Sequence, residues 1–165
     1  MILGMSLSMF TTVHVIISLI AIVTGFVVAW GMLADRRLPA WTAIFLATTA
    51  LTSVTGFLFP FSKLTPAHVF GLISLPVLAA ALAALYGRRL SGPWRLVYVV
   101  GALLALYLNT FVGIVQGFQK LAFLQPLAPT QSEAPFLVAQ IAALAIFIAV
   151  GFLAAKKFNP GWSAP

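Results

Sequence analysis

Five long runs of hydrophobic residues divide the chain, and short polar segments separate them. The runs cover residues about 9–33, 40–59, 66–87, 96–119 and 136–155. Each is close to or above the ~20 residues that an α-helix needs to cross the roughly 30 Å hydrocarbon core of a bilayer. The pattern therefore predicts an all-α integral membrane protein, folded as one domain over residues 1–165 and built as a bundle of five transmembrane helices.

Polar residues inside the fourth run fall on one face of its predicted helix. Asn109, Gly113, Gln116 and Lys120 recur at spacings of three and four residues, which places them in a single stripe. An amide without a partner in hydrocarbon is costly, so this face is expected to contact protein or a water-filled cleft. Two interpretations stay open: hydrogen bonding between helices, or one wall of a ligand-binding cleft.

Three other predicted helices carry comparable stripes of small and polar residues. Small residues let helices approach closely, and hydroxyl and amide groups can hydrogen bond across the contact, so the stripes predict a compact bundle. The stripes comprise Thr11, His14, Ser18, Ala21 and Gly25 in the first run, Thr49, Thr52, Ser53 and Gly56 in the second, and Glu133, Gln140, Ala143 and Gly151 in the fifth.

Charge is scarce and unevenly distributed. Only 7% of the residues are charged, against about 25% in soluble domains. Seven basic residues fall on one predicted side of the membrane and two, Lys63 and Lys120, on the other. Because basic loops stay in the cytoplasm, the N-terminus is predicted to be extracytoplasmic and the C-terminus cytoplasmic, in a bacterial inner membrane. The net charge of +7 therefore indicates orientation in a lipid bilayer and not nucleic-acid binding. The seven are Arg36, Arg37, Arg88, Arg89, Arg95, Lys156 and Lys157.

The residues with the richest chemistry gather on the predicted extracytoplasmic side. Both histidines and the only glutamate of the chain are among them. We expect a polar cleft there that binds a small ligand or cofactor. Its predicted lining is His14, His68, Asn109, Gln116, Lys120 and Glu133.

Several occupants fit those side chains. His14 and His68 could ligate a b-type haem axially, with Lys63 and Lys120 near its propionates. A quinone head group would use the same histidine and amide groups. A third hypothesis is a metal site formed by His14, His68 and Glu133, since zinc accepts two histidines and one glutamate. The absence of cysteine excludes disulfides and thiolate chemistry.

Three functional hypotheses therefore stay open. The chain is a ligand-binding membrane protein, a haem- or quinone-dependent redox protein, or an accessory subunit whose stripes pack within a homo-oligomer or a larger membrane complex.

A resemblance to other proteins rests on the segments VHVIISLIAIVTG, TSVTGFLFPF, TPAHVFGLISL and APTQSEAPF. Together they resemble a set of small hypothetical multi-span membrane proteins of Gram-negative bacteria that have no assigned activity. The resemblance implies a multi-span membrane fold and carries no functional residue over.

Overall fold

A computed structural model describes residues 2–60 and 66–160. Helices hold 78% of the residues and the described residues contain no β-strand, which confirms the predicted all-α fold. The α3 helix continues into a π-helical turn over Ala83–Gly87, and a short 3-10 turn, Gln125–Leu127, lies in the loop before the last helix. The five α-helices are α1 (Leu7–Leu33), α2 (Pro39–Gly56), α3 (Pro66–Leu82), α4 (Trp94–Lys120) and α5 (Ala134–Lys157).

Four helical segments of the described residues are long and apolar enough to cross a membrane. They are α1, the segment His68–Gly87, α4 and α5. The α2 helix is not in this group, because six of its 18 residues carry a hydroxyl group and lower its mean hydropathy. It nevertheless packs along α1 and α3 and buries Phe45 and Leu46 in the core.

Successive helices run antiparallel, as their short connections require. Gly25 near the end of α1 lies against Phe45 near the start of α2. Phe118 near the end of α4 likewise packs edge-on against Phe136 near the start of α5, with ring centroids 5.5 Å apart. The α4 helix contacts all four other helices. It is therefore the centre of the bundle.

Seven of the eight basic residues in the described ranges, all except Lys120, collect at one end of the bundle, which we term the basic end. Lys63, the basic residue predicted for the opposite side, lies outside the described residues. At the basic end Arg95 donates hydrogen bonds from Nη1 to the carbonyl oxygens of Ala155 and Phe158. The backbone N–H of Asn159 donates to Asp35 Oδ1 at 2.7 Å. These contacts hold the chain after α5 across the bundle, with Phe158 only 2% exposed.

Candidate functional site: an intramembrane cavity

A cavity of about 370 Å³ lies at the end of the bundle opposite the basic end, which we term the cavity end. That volume is within the roughly 300–1,000 Å³ of small-molecule sites. Helices α1 to α4 line the cavity, and no described residue of α5 does. Four glycines, Gly56, Gly71, Gly113 and Gly117, leave space in its wall. Its polar lining consists of His14, Ser18, Thr52, Ser53, His68, Ser74, Asn109, Gln116 and Lys120.

Five of the six side chains predicted for the cleft therefore share one cavity. His14 comes from α1, His68 from α3, and Asn109, Gln116 and Lys120 from α4. Sequence spacing placed the last three on one face, but only packing brings the histidines of two other helices opposite them. That these side chains bind a ligand stays a prediction.

His14 is held by a hydrogen bond that fixes the protonation of its ring. Its Nδ1 lies 2.8 Å from Thr55 Oγ1. The single hydroxyl proton of Thr55 is donated to the carbonyl oxygen of Leu51 at 2.6 Å, as is usual for threonine in a helix. Thr55 Oγ1 must therefore accept from His14, so we assign the proton to Nδ1. In the neutral ring Nε2 is then a hydrogen-bond acceptor, and no described residue bonds to it.

Aromatic rings pack beside each histidine. The Phe59 ring stands edge-on to His14, with centroids 5.1 Å apart, and Phe59 also packs on Phe10. The His68 ring is 8% exposed and lies 6.1 Å from the ring of Phe57. Because Phe57 and Phe59 both follow α2, the segment after that helix closes over the two imidazoles. This segment is what gives each histidine an apolar neighbour at the cavity end.

Asn109 joins the cavity wall to the core. Its Nδ2 donates to Thr49 Oγ1 at 3.1 Å, and Thr49 is fully buried. This bond between α4 and α2 supports the interhelical interpretation of the polar stripe for Asn109. Further along the same face, Gln116 lines the cavity and no described residue bonds to its amide group. Lys120 follows one turn later at the exposed rim. Along α4, the polar stripe therefore begins with an interhelical hydrogen bond at Asn109 and ends with Gln116 and Lys120 in the cavity wall.

Glu133 is not part of this cavity, and its predicted place in the cleft is wrong. It is the residue before α5, and its carboxylate accepts hydrogen bonds from the hydroxyl and backbone N–H of Thr130 and from the backbone N–H of Ser132. Partial desolvation opposes ionisation of Glu133, but these hydrogen bonds outweigh it and hold the pKa of its carboxyl below the ordinary value. The carboxylate is therefore occupied within its own loop.

The metal hypothesis fails for the same reason. The described residues contain no group of three or more histidine, cysteine, aspartate or glutamate side chains that could hold a metal ion. His14, His68 and Glu133 do not converge because Glu133 belongs to the loop before α5, which does not line the cavity. The arrangement does not fit a three-ligand metal site.

Sequence reasoning missed several contributors to the wall, and Ser74 and Phe57 are two of them. Ser74 is only 3% exposed and lines the cavity, and so does Phe57. The available signal for Ser74 was its spacing: His68, Gly71 and Ser74 follow one another every third residue and so share one side of α3. Phe57 carried no comparable signal, because it lies beyond the last turn of α2 where helical periodicity ends.

The cavity wall combines polar and apolar side chains. Among the described residues its lining has hydroxyl, amide and imidazole groups and one cation, Lys120, but no carboxylate. It is mixed in character, since Val15, Leu19, Ile22, Phe70 and Leu108 also line it. No protein-family model, curated protein or solved structure matches the chain. These comparisons leave the resemblance to small multi-span membrane proteins as a prediction, and the site must be interpreted from its own geometry.

Proposed function

We propose that the chain is an integral membrane protein of the bacterial cytoplasmic membrane whose cavity binds a small ligand. The support for a membrane location is that large apolar side chains face outward from the bundle. Contact between such a surface and water would be unfavourable. On α5 they include Val138, Ile141, Ile146, Ile148 and Phe152, each more than half exposed. A lipid bilayer is the solvent that such a surface requires. We include α2 as a fifth span, since α1 and α3 pack along it and the hydroxyl groups of Thr48, Thr49 and Thr55 hydrogen bond inward or to its own backbone.

The orientation we propose puts the N-terminus outside and the C-terminus in the cytoplasm. The support is the basic end, where Arg36, Arg37, Arg88 and Arg89 lie in loops and Lys156 and Lys157 close α5. Basic residues in short loops are retained on the cytoplasmic side. In this orientation the cavity opens in the extracytoplasmic leaflet, on the side where Lys120 ends α4.

The observation that carries the binding function is the cavity with its polar side chains. Hydrogen bonds between membrane helices contribute only ~0.6–2 kcal/mol each, so they are a weak reason to retain so many polar groups. A bundle selected only for packing would close the space with a larger side chain at Gly56, where a Cβ has room. We therefore expect a ligand to occupy it.

The test is to identify what co-purifies with the protein. Gly56→Leu should fill the cavity, because a Cβ at Gly56 meets only His14 Cε1, at 3.9 Å, and has room to extend. The control is Ala145→Leu, which adds a similar volume at an exposed position of α5. Each protein is purified in mild detergent, and its organic extract is compared by mass spectrometry. We expect one small molecule that is enriched with the wild type and with Ala145→Leu and is absent from Gly56→Leu.

Two other results would replace this proposal. A Soret band in the absorption spectrum of the purified wild type would assign a haem protein, with His14 and His68 as the candidate axial ligands. Equal extracts from all three proteins, with Gly56→Leu as stable as the wild type, would remove the binding function. The cavity-lining side chains would then be packing groups of an accessory membrane subunit.

A further inference from the structure

The cavity has a lateral side as well as a polar end. Val15 and Leu19 of α1 line it and are 41% and 56% exposed. Below them α1 and α4 close together, since a Cβ placed at Gly113 would lie 3.2 Å from Ile22 Cδ1. Between this closure and His14, α1 advances eight residues, or about 12 Å at 1.5 Å per residue. We term the part of the cavity wall above this contact, between α1 and α4, the slot, and an opening there would face the acyl chains of the bilayer.

The polar end of this slot presents a hydrogen-bond acceptor, so a ligand that binds there should donate a hydrogen bond. Thr55 keeps the proton of His14 on Nδ1, and Nε2 presents a lone pair that no described residue uses. A carboxylate or a carbonyl oxygen would be repelled there, whereas a hydroxyl group would donate to it. The amide of Gln116 and the ammonium group of Lys120 line the same cavity. Both can donate to oxygens elsewhere on the same head group.

We infer that the ligand is a neutral, single-tailed lipid with a hydroxyl head group, whose hydroxyl donates to His14 Nε2 while its tail leaves between α1 and α4. This rests on the proposed binding function and names the chemical class of its ligand. An isoprenoid quinol and a long-chain alcohol share this chemistry. Thr55 is then a positioning residue, because it selects the histidine tautomer without lining the cavity.

The experiment compares probes that differ in the hydroxyl group. Decyl-hydroquinone, its dimethyl ether and decanoate are titrated against detergent-solubilised full-length protein by calorimetry. The hydroquinone should bind about tenfold more tightly than the ether, as expected for one net hydrogen bond. Decanoate should bind more weakly than the hydroquinone. Decanol as a competitor separates the two sources: competition indicates a general lipid alcohol, and failure to compete indicates an aromatic quinol.

Three variants test whether His14 causes the preference for the hydroquinone over its dimethyl ether. His14→Phe keeps an aromatic ring of similar size and should abolish the difference between hydroquinone and ether. Thr55→Val removes the acceptor for Nδ1 and frees the tautomer, so the difference should shrink. Thr55→Ser retains the hydroxyl group, so the affinity difference between hydroquinone and ether should remain. The two Thr55 variants preserve the test if His14→Phe does not fold.

Several results would overturn the inference. They are equal affinity for hydroquinone and ether, stronger binding of decanoate, a preference that survives in His14→Phe and Thr55→Val, and no binding of any probe. If equal affinity is found while Gly56→Leu still loses the co-purifying molecule, the hydroxyl preference fails but the binding function stands. If no probe binds and nothing co-purifies, both fail.

Discussion

Gly25 is the position at which a single added methyl group should most directly disturb the bundle. It lies where α1 meets both α2 and α4. A Cβ built there would overlap Leu106 Cδ1 and lie 2.9 Å from Phe45 Cε2. Both side chains are 1% exposed, so neither has free space into which to move. Gly25→Ala must therefore separate three helices or force strained rotamers.

The expected cost follows from two opposing effects. Overpacking a close-packed core costs about 1–3 kcal/mol. Replacing glycine by alanine within a helix gains up to about 1 kcal/mol through the backbone. Gly151→Ala is the matched control, because it makes the same exchange inside α5 and its Cβ would meet only Leu103 Cδ1, at an ordinary 3.9 Å. The backbone gain cancels between the two variants, so Gly25→Ala should be about 1–3 kcal/mol less stable than Gly151→Ala.

The assay is reversible unfolding in mixed micelles, with sodium dodecyl sulfate as the denaturant and helicity as the signal. Gly151→Ala should unfold at or above the wild-type midpoint and Gly25→Ala below it. Equal midpoints for the two alanine variants would refute the close approach of α1, α2 and α4 and, with it, the packing on which the cavity geometry depends.

Three further predictions use the same protein. Phe158→Ala should lose about 3–5 kcal/mol in that unfolding assay, the range for buried phenylalanines, while Phe152→Ala, at a 59% exposed position, should lose far less; similar losses would contradict the packing of the C-terminal segment. A reporter fused after Lys157 that is active only outside the cytoplasm should stay inactive, and activity would reverse the proposed orientation. Because the pKa of Glu133 is lowered by its hydrogen bonds, its carboxylate stabilises the fold above the unfolded-state pKa, and that stabilisation is lost as the pH falls through the lower folded-state pKa. The stability difference between wild type and Glu133→Gln, measured from pH 7 downward, should therefore shrink in acid, and a difference that is constant with pH would contradict this role.

The sequence pattern was sufficient to predict the helices, because the backbone hydrogen bonds that form a helix join residues close together in the chain. A long apolar run that is to be buried in lipid must satisfy its own backbone hydrogen bonds, so it is helical wherever its neighbours lie. The predicted runs differ from the observed helices by at most three residues at their ends when the π-helical turn Ala83–Gly87 is counted with α3. The largest difference is in the second run, which continues to residue 59 whereas α2 ends at Gly56. Phe57 to Phe59 turn back over the cavity end, and their apolar character gave no sign of the turn.

For the candidate site, the sequence by itself determined that Asn109, Gln116 and Lys120 share one face, since 3.6 residues per turn fixes their directions. Tertiary structure alone decided which faces meet. The close contact at Gly25 sets how α1 lies on α2 and α4, and this brings His14 to Thr55 and into the wall of the cavity. Glu133 shares the predicted depth of the cavity but not its position, because its loop satisfies the carboxylate before α5 begins. Depth in the membrane follows from position along an apolar run, whereas contact between helices depends on side-chain packing between residues far apart in the chain.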